Sequence, residues 1–171
     1  MQSVKIDRIL KVAAVLLAGG LVFTIYSAIY QRVVVPGDQA PDFQLTADNG
    51  RSVSVSHFGG KLLVLNFWAS WCGPCIEETP TLNRFAQQYA DKGVVVLGVS
   101  VDKDEKAYRA FLQRFKPDFL TVRDSKVHGE YGTFMYPETY IIDAQGKVLR
   151  KYAEAVDFTS SDITQLVNSL L

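Results

Sequence analysis

The chain has 171 residues with 18 Lys+Arg against 18 Asp+Glu. No global field steers it to nucleic acid, and no basic cluster interleaved with aromatics supplies a local site for one. An N-terminal apolar stretch set aside, about 140 residues remain, enough for one domain and too few for a second enzyme domain.

Residues 1–11 carry Lys5, Arg8 and Lys11 against Asp7, and Val12 to Tyr30 follow without a charge. As a helix these residues span roughly 28 Å, close to the hydrocarbon thickness of a bilayer. The short basic flank places residues 1–11 in the cytoplasm and exports the rest. A cleaved signal peptide is the rival, with Ala18-Gly19-Gly20 as a small-residue site. The apolar run continues through Leu21-Val22-Phe23, longer than a usual signal core, so the expectation is an uncleaved transmembrane signal anchor over 12–30.

Residues 31–42, ending in Pro36-Gly37-Asp38-Gln39-Ala40-Pro41, read as a linker into a domain over 43–171. Phe43 to Thr46, a turn at Asp48-Asn49-Gly50, and Ser52 to Val55 predict a β-hairpin. Lys61 to Trp68 is a near-continuous apolar run, as expected of a central strand buried on both faces, and it leads directly to Cys72. Gly73 to Tyr89 has the apolar spacing of a helix with Pro80 inside it as a kink. Val94 to Val99 predicts a second central strand and 104–115 a polar helix, on which Tyr108, Phe111, Leu112 and Phe115 share a core-packing face. Phe119 to Val122 reads as a short strand and Ser125 to Tyr131 as a short helix or turn. Thr139 to Asp143 and Lys147 to Tyr152 read as antiparallel strands joined at Ala144-Gln145-Gly146, and a last helix runs from about Thr159 to Leu170. Strands alternating with helices and a closing hairpin predict an α/β fold with a mixed sheet.

Cys72 and Cys75 are the only cysteines, too close in sequence to staple a fold, so a bond between them has chemical rather than structural value. A zinc site would need two more ligands, and the only histidines, His57 and His128, are isolated in sequence; no metal is expected, and the histidines read as local hydrogen-bonding or surface groups. A Cys-x-x-Cys where a buried strand ends and a helix begins puts its first sulfur at the helix N-terminus, where unpaired N–H groups and the helix dipole favour a thiolate. Cys72 is therefore the expected nucleophile and Cys75, one turn into the helix and more buried, the resolving thiol. Pro74 suits the first helical turn. Two buried structural cysteines are the alternative.

Phe67-Trp68-Ala69-Ser70-Trp71-Cys72-Gly73-Pro74-Cys75 resembles the active site of the thioredoxin superfamily. Pro80 falls at that family's helix kink, and Pro137, followed by Glu138-Thr139-Tyr140, resembles its cis-proline loop, which lies against the sulfurs and offers backbone groups to a bound peptide. The opening Gly37-Asp38-Gln39-Ala40-Pro41-Asp42-Phe43, a strand-helix segment inserted at roughly 94–118, the N-terminal anchor and Cys75-Ile76-Glu77-Glu78-Thr79-Pro80 are similar to the membrane-tethered ResA, TlpA and CcmG group.

The resemblance implies an extracytoplasmic thiol-disulfide oxidoreductase of thioredoxin-like fold, with a mixed central sheet flanked by helices, needing no cofactor beyond its own cysteine pair. Many members reduce apocytochrome c before haem attachment. The implied partners are a disulfide-containing exported protein and a membrane electron donor, and the chain is expected to be a monomer. Where thioredoxin has a buried aspartate, this chain has Asn66, which cannot accept a proton. Glu78 matches the glutamate that ResA-like proteins carry near the thiols, and a buried carboxylate with a raised pKa can exchange a proton with Cys75; a solvated helix carboxylate is the other reading, better suited to Glu77.

Trp71, Gly73, Pro74, Tyr136, Pro137 and Glu138 are the expected substrate-binding residues. For Glu138 the alternatives are shaping the partner site or a surface role. Trp68 and Trp71 are expected to divide between packing under the site and lining its rim. Met135 and Tyr136 are expected at the groove, while Tyr131 and Phe134 serve either the groove or the core. Two other functions compete. Thiol peroxidase is suggested by Ala40-Pro41-Asp42-Phe43, but Ala69 stands where peroxiredoxins carry the threonine of Thr-x-x-Cys. A non-catalytic peptide-binding module would use the groove around Pro137 and survive loss of both cysteines.

Overall fold

The computed structural model describes residues 2–30 and 33–171, without the side chains of 2–5, 7 and 28–30. Residue 1 of the expected cytoplasmic segment and residues 31 and 32 of the expected linker lie outside the described residues. The chain divides into two units, Met1–Arg32 and Val33–Leu171.

The first unit is one helix, α1 (Gln2–Tyr30), in which Arg8–Ser27 is long and apolar enough to cross a membrane. Gly19 and Gly20 lie within this continuous helix, at the small-residue site of the competing signal-peptide reading.

The second unit contains a hairpin, β1 (Gln44–Thr46) and β2 (Ser52–Ser54), and a five-stranded sheet. In chain order the sheet and its helices are β3 (Leu62–Trp68), α2 (Gly73–Tyr89), β4 (Val94–Ser100), α3 (Glu105–Phe115), β5 (Leu120–Arg123), α4 (Val127–Glu130), β6 (Glu138–Asp143), β7 (Val148–Tyr152) and α5 (Ser161–Leu170). The strand order is β5-β4-β3-β6-β7. The crossover through α2 makes β3 and β4 parallel and the one through α3 makes β4 and β5 parallel, whereas β6 runs antiparallel to both β3 and β7. The α/β class, the mixed sheet and the N-terminal hairpin are as the sequence predicts, and the segment at 94–118 supplies β4 and α3.

β3 explains where the core sits. Every residue of it is buried, so its period of two sends alternate side chains into two separate apolar layers. Leu63, Leu65 and Phe67 pack with Phe43, Val53, Val55, Tyr131 and Tyr140; Leu62 and Val64 pack with Leu82, Phe85 and Tyr89 of α2 and with Ile163 and Val167 of α5. Asn66 shares the second face by the same alternation, which aims a polar group at α2 in the middle of an apolar strand. Trp68 ends the strand against Tyr108 and Phe111 of α3, with ring centroids 5.8 and 4.2 Å away. The aromatic face expected of α3 is thus core, with Tyr108 and Phe111 buried and Leu112 and Phe115 partly so.

The stretch read as linker is packed from Val34 onward. Val34 and Ala40 are buried in the first apolar layer, the Gly37 N–H donates to the Val148 carbonyl at 2.8 Å and the Val148 N–H to that of Asp38 at 2.9 Å. Gln39 pairs with Lys147 in an antiparallel bridge. Pro and Gly break regular structure here without freeing the chain, because the edge of β7 satisfies its backbone groups.

Candidate active site

The end of β3 and the start of α2 build the site. Ala69 to Cys72 form a turn closed by the Cys72 N–H on the Ala69 carbonyl at 3.1 Å, and the Ile76 N–H on the Cys72 carbonyl at 3.1 Å begins the helix. Cys72 is the N-cap, in extended conformation, and its Sγ accepts from the Cys75 N–H at 3.2 Å. Pro74, in the first turn, forfeits an N–H that no helical carbonyl would have received. This is the environment that stabilises a thiolate at Cys72: a backbone donor on the sulfur at the positive end of a 17-residue helix. Cys72 and Cys75 form a disulfide, and both are buried.

Pro80 stays inside α2 and has no N–H for the Ile76 carbonyl. One residue earlier, the Thr79 hydroxyl donates to the Cys75 carbonyl at 2.7 Å, holding the turn that carries the second cysteine.

The peptide bond between Tyr136 and Pro137 is cis. The Tyr136 carbonyl oxygen lies 3.4 Å from Cys72 Sγ, where a thiol in the reduced protein would donate to it. Trp71 is 70% exposed and meets the Tyr136 ring edge-on at 6.0 Å, while Trp68 is 4% exposed beneath the site. The two tryptophans therefore divide, Trp68 packing under the site and Trp71 lining its rim. Gly73 and Pro74 are exposed beside Cys72, and a Cβ on Gly73 would meet nothing within 4 Å. Phe134 and Met135 are exposed, at 73% and 60%, whereas Tyr131 is core. His128 Nδ1 lies 2.8 Å from the Thr133 carbonyl and 3.1 Å from the Tyr136 hydroxyl, so it braces the loop; His57 is exposed with Nδ1 3.0 Å from the Ser56 hydroxyl.

Glu78 is buried one turn beyond Cys75, at 4% exposure. Its Oε1 accepts from Asn66 Nδ2 at 2.9 Å and its Oε2 from the Val156 N–H at 2.9 Å. Burial pushes its pKa up from 4.5 to about 7, against the opposing pull of the Val156 and Asn66 donors. A carboxyl so tuned can hold or release a proton near neutrality. Glu77 is exposed, as a solvated helix carboxylate would be.

Glu138 is the residue that the structure does not bring to the groove. It is buried, ion-paired with Lys151 of β7 and accepts from the Tyr140 hydroxyl at 3.0 Å. Of the two sequence-based alternatives, the surface role gives way to a buried ion pair beneath the proline loop, and direct contact with a bound partner does as well. The sequence signal was available in β7, whose Lys151 stands diagonally across from Glu138 in the antiparallel pair, but only the register identifies it.

Sequence reasoning also missed Val156, Thr139 and Asp102. Thr139 Oγ1 accepts the second N–H of Asn66 at 2.8 Å, joining the proline loop strand to the Glu78 network. No motif marks a backbone N–H such as that of Val156 as a carboxylate ligand.

Comparison with known proteins agrees with this geometry. Residues 36–151 match the AhpC/TSA family. The chain is 40% identical over 115 residues to the thioredoxin-like protein YneN of Bacillus subtilis, covering 66% of this chain and 68% of that one. It is 33% identical over 172 residues to the thiol-disulfide oxidoreductase ResA of Geobacillus kaustophilus, covering 97% and 98%. A Chlorobium tepidum crystal structure, assigned as thiol:disulfide interchange protein DsbE, superposes with a TM-score of 0.73 at 30% identity over 81% of this chain and 99% of that one. Ala69, at the place of the peroxiredoxin threonine, is fully buried and offers no hydroxyl to a peroxide. A thioredoxin-like fold, a Cys-x-x-Cys pair at a helix N-terminus and relatives of this kind together identify the chain as a member of the AhpC/TSA family and a thiol-disulfide oxidoreductase of the ResA/DsbE type.

Proposed function

We propose that the protein is a membrane-anchored, extracytoplasmic reductant of disulfides in exported proteins, with apocytochrome c as its client during cytochrome c maturation. The observation that carries the reading is the buried Glu78 carboxyl, raised to about 7, one turn beyond the Cys72–Cys75 pair. The Cys72 thiolate attacks the client disulfide, forming a mixed disulfide and expelling one client thiolate. Glu78 then takes the proton of Cys75, whose thiolate attacks the Cys72 sulfur; the Cys72–Cys75 disulfide forms and the second client thiolate leaves. Two electrons pass from enzyme to client, and a membrane electron donor must return them, since export usually means an oxidising compartment.

Trp71, Gly73, Pro74, Met135 and Tyr136 form the surface around Cys72 that meets the client, and the Tyr136 carbonyl beside Cys72 Sγ offers it an acceptor. In this reading α1 is the anchor, with residues 1–11 cytoplasmic, and the domain acts as a monomer. The client assignment leans on the ResA-type relatives and on the kinship of the loop and anchor with that group.

Cys75→Ser trapping in cells tests the reading, because a mixed disulfide on Cys72 then cannot resolve. Recovery of apocytochrome c on Cys72 is the expected result. Reproducible capture of unrelated clients alone would sink the cytochrome assignment and leave the redox chemistry intact.

A further inference from the structure

The turn that delivers Cys72 is gripped from the neighbouring strand by a carboxylate outside the active-site motif. Asp102 follows β4 and is 2% exposed. Its Oδ2 accepts from the Ser70 N–H at 2.9 Å and its Oδ1 from the Ser70 hydroxyl at 2.9 Å, so both polar groups of one residue in the Ala69–Cys72 turn end on one carboxylate. Its own position is fixed in turn. The Ser100 hydroxyl donates to Oδ2 at 2.7 Å, the Asp102 N–H donates to Ser100 Oγ at 3.1 Å, and Arg123 Nη1 reaches the Asp102 and Lys103 carbonyls at 3.4 and 3.3 Å. The Val101 N–H on the Trp68 carbonyl at 2.9 Å ties the two strand ends just before this point.

A buried carboxylate is costly unless its acceptors are filled, and three donors fill this one. Two of the three belong to Ser70, two residues before the attacking sulfur. The turn itself holds only one backbone bond, Cys72 to Ala69. Among the described residues, the hydrogen bonds that tie Ser70 to the sheet both end on Asp102, two residues before the sulfur that lies 3.2 Å from the Cys75 N–H.

We propose that Asp102 is a positioning residue for thiol exchange: through Ser70 it fixes the turn that seats the Cys72 thiolate at the N-terminus of α2. The inference rests on Cys72 being the attacking thiol and is independent of which client it attacks. Positioning and charge make opposite demands on the Cys72 thiol. Removing a nearby negative charge would favour the thiolate, whereas loosening the turn disfavours it by weakening the Cys75 N–H bond. Asn at 102 keeps an acceptor for the Ser70 N–H and the Ser100 hydroxyl, and its amide can donate to the Ser70 hydroxyl, so it preserves the geometry without the charge.

The test is the pH dependence of Cys72 alkylation by iodoacetamide in the reduced full-length protein in detergent, with the modified cysteine identified by peptide mass. Asp102→Ala is expected to raise the apparent Cys72 pKa by about one unit, a roughly tenfold loss of thiolate below that pKa, while Asp102→Asn does not raise it. Ser70→Ala, which removes only the hydroxyl bond, should raise it by less and serves if Asp102→Ala does not fold. An unchanged or lowered pKa in Asp102→Ala, an equal rise in Asp102→Asn, or, where Ser70→Ala stands in, no rise there, would overturn the proposal. Alkylation uses no client, so these results and the client-trapping result stand or fall separately.

Discussion

Asn66 Nδ2 donates to Glu78 Oε1 at 2.9 Å, and that contact joins the strand leading to Cys72 with the helix that carries Cys75. An amide at position 66 takes no proton itself but hands one N–H to Glu78 and the other to Thr139. In the proposed exchange the proton carrier is Glu78 on the helix rather than a group on the strand, and Asn66 and Val156 limit how far burial raises the Glu78 pKa.

This sets a pH dependence of stability with a definite sign. The folded Glu78 pKa, about 7, lies above its ordinary 4.5, so between these values the unfolded chain releases a proton that the folded protein keeps. Stability from this group is complete below about 4.5 and falls as pH rises to about 7, by roughly 3 kcal/mol. In urea titrations across this window, Glu78→Gln should fall less steeply than the wild-type protein. The slope is the readout, because the glutamine amide fits only one of the two N–H donors and shifts the absolute level as well. Parallel curves for the two proteins would contradict the Glu78 environment described here.

Gly98 lies in β4 where a Cβ would stand 2.9 Å from Phe119 Cε2 and 3.0 Å from Trp68 Nε1. Both are ring atoms, and Trp68 is packed against Tyr108 and Phe111 of α3, so it does not yield easily. Gly98→Ala should cost about 1–3 kcal/mol as overpacking. A melting temperature equal to that of the wild type would show that the Trp68 layer is looser than drawn.

Lys151→Met leaves the Glu138 carboxylate buried without its cation, at an expected cost of about 3–5 kcal/mol. Adding Glu138→Gln should recover much of that loss, since the unpaired charge is then gone. Chemical denaturation of the two single variants and the double variant measures this, and additive losses would argue against a direct pair.

Trp71 has little to hold it in the fold, and its exposed ring adjoins Tyr136. Trp71→Ala should change stability by no more than about 0.5 kcal/mol, as surface substitutions do. It should raise KM for a peptide disulfide by several fold with a smaller change in kcat, the pattern of lost binding shared by ground and transition states. A fall in kcat alone would instead place the ring in the chemistry.

The strands and helices were legible because their signals are local. The near-continuous apolar run at 62–68, the Cys72 start of α2 and the turn at Asp143–Gly146 each sit within one short window. Glu78 was legible through its match to the glutamate of the ResA-like group. What stayed hidden depends on sequence separation and register. Asp102 is 32 residues from Ser70, and Val156 is 78 from Glu78. Lys151 meets Glu138 only once β7 has paired with β6. The segment at 34–42 has the composition of a linker, and only the β7 edge shows that its backbone is satisfied. Phe134, an aromatic beside a core tyrosine, points outward because the loop before Pro137 turns there, which no periodicity records.

The direction of exchange is the central claim, and it can be read from which sulfur carries the client. Reduced full-length Cys75→Ser and Cys72→Ser proteins in detergent would be mixed with a peptide disulfide and the mixed disulfide located by mass. A stable adduct is expected on Cys72 in Cys75→Ser and almost none on Cys75 in Cys72→Ser, because the helix N-terminus that favours a thiolate lies at Cys72. An adduct forming on Cys75 at a comparable rate, or none forming on Cys72, would contradict that claim.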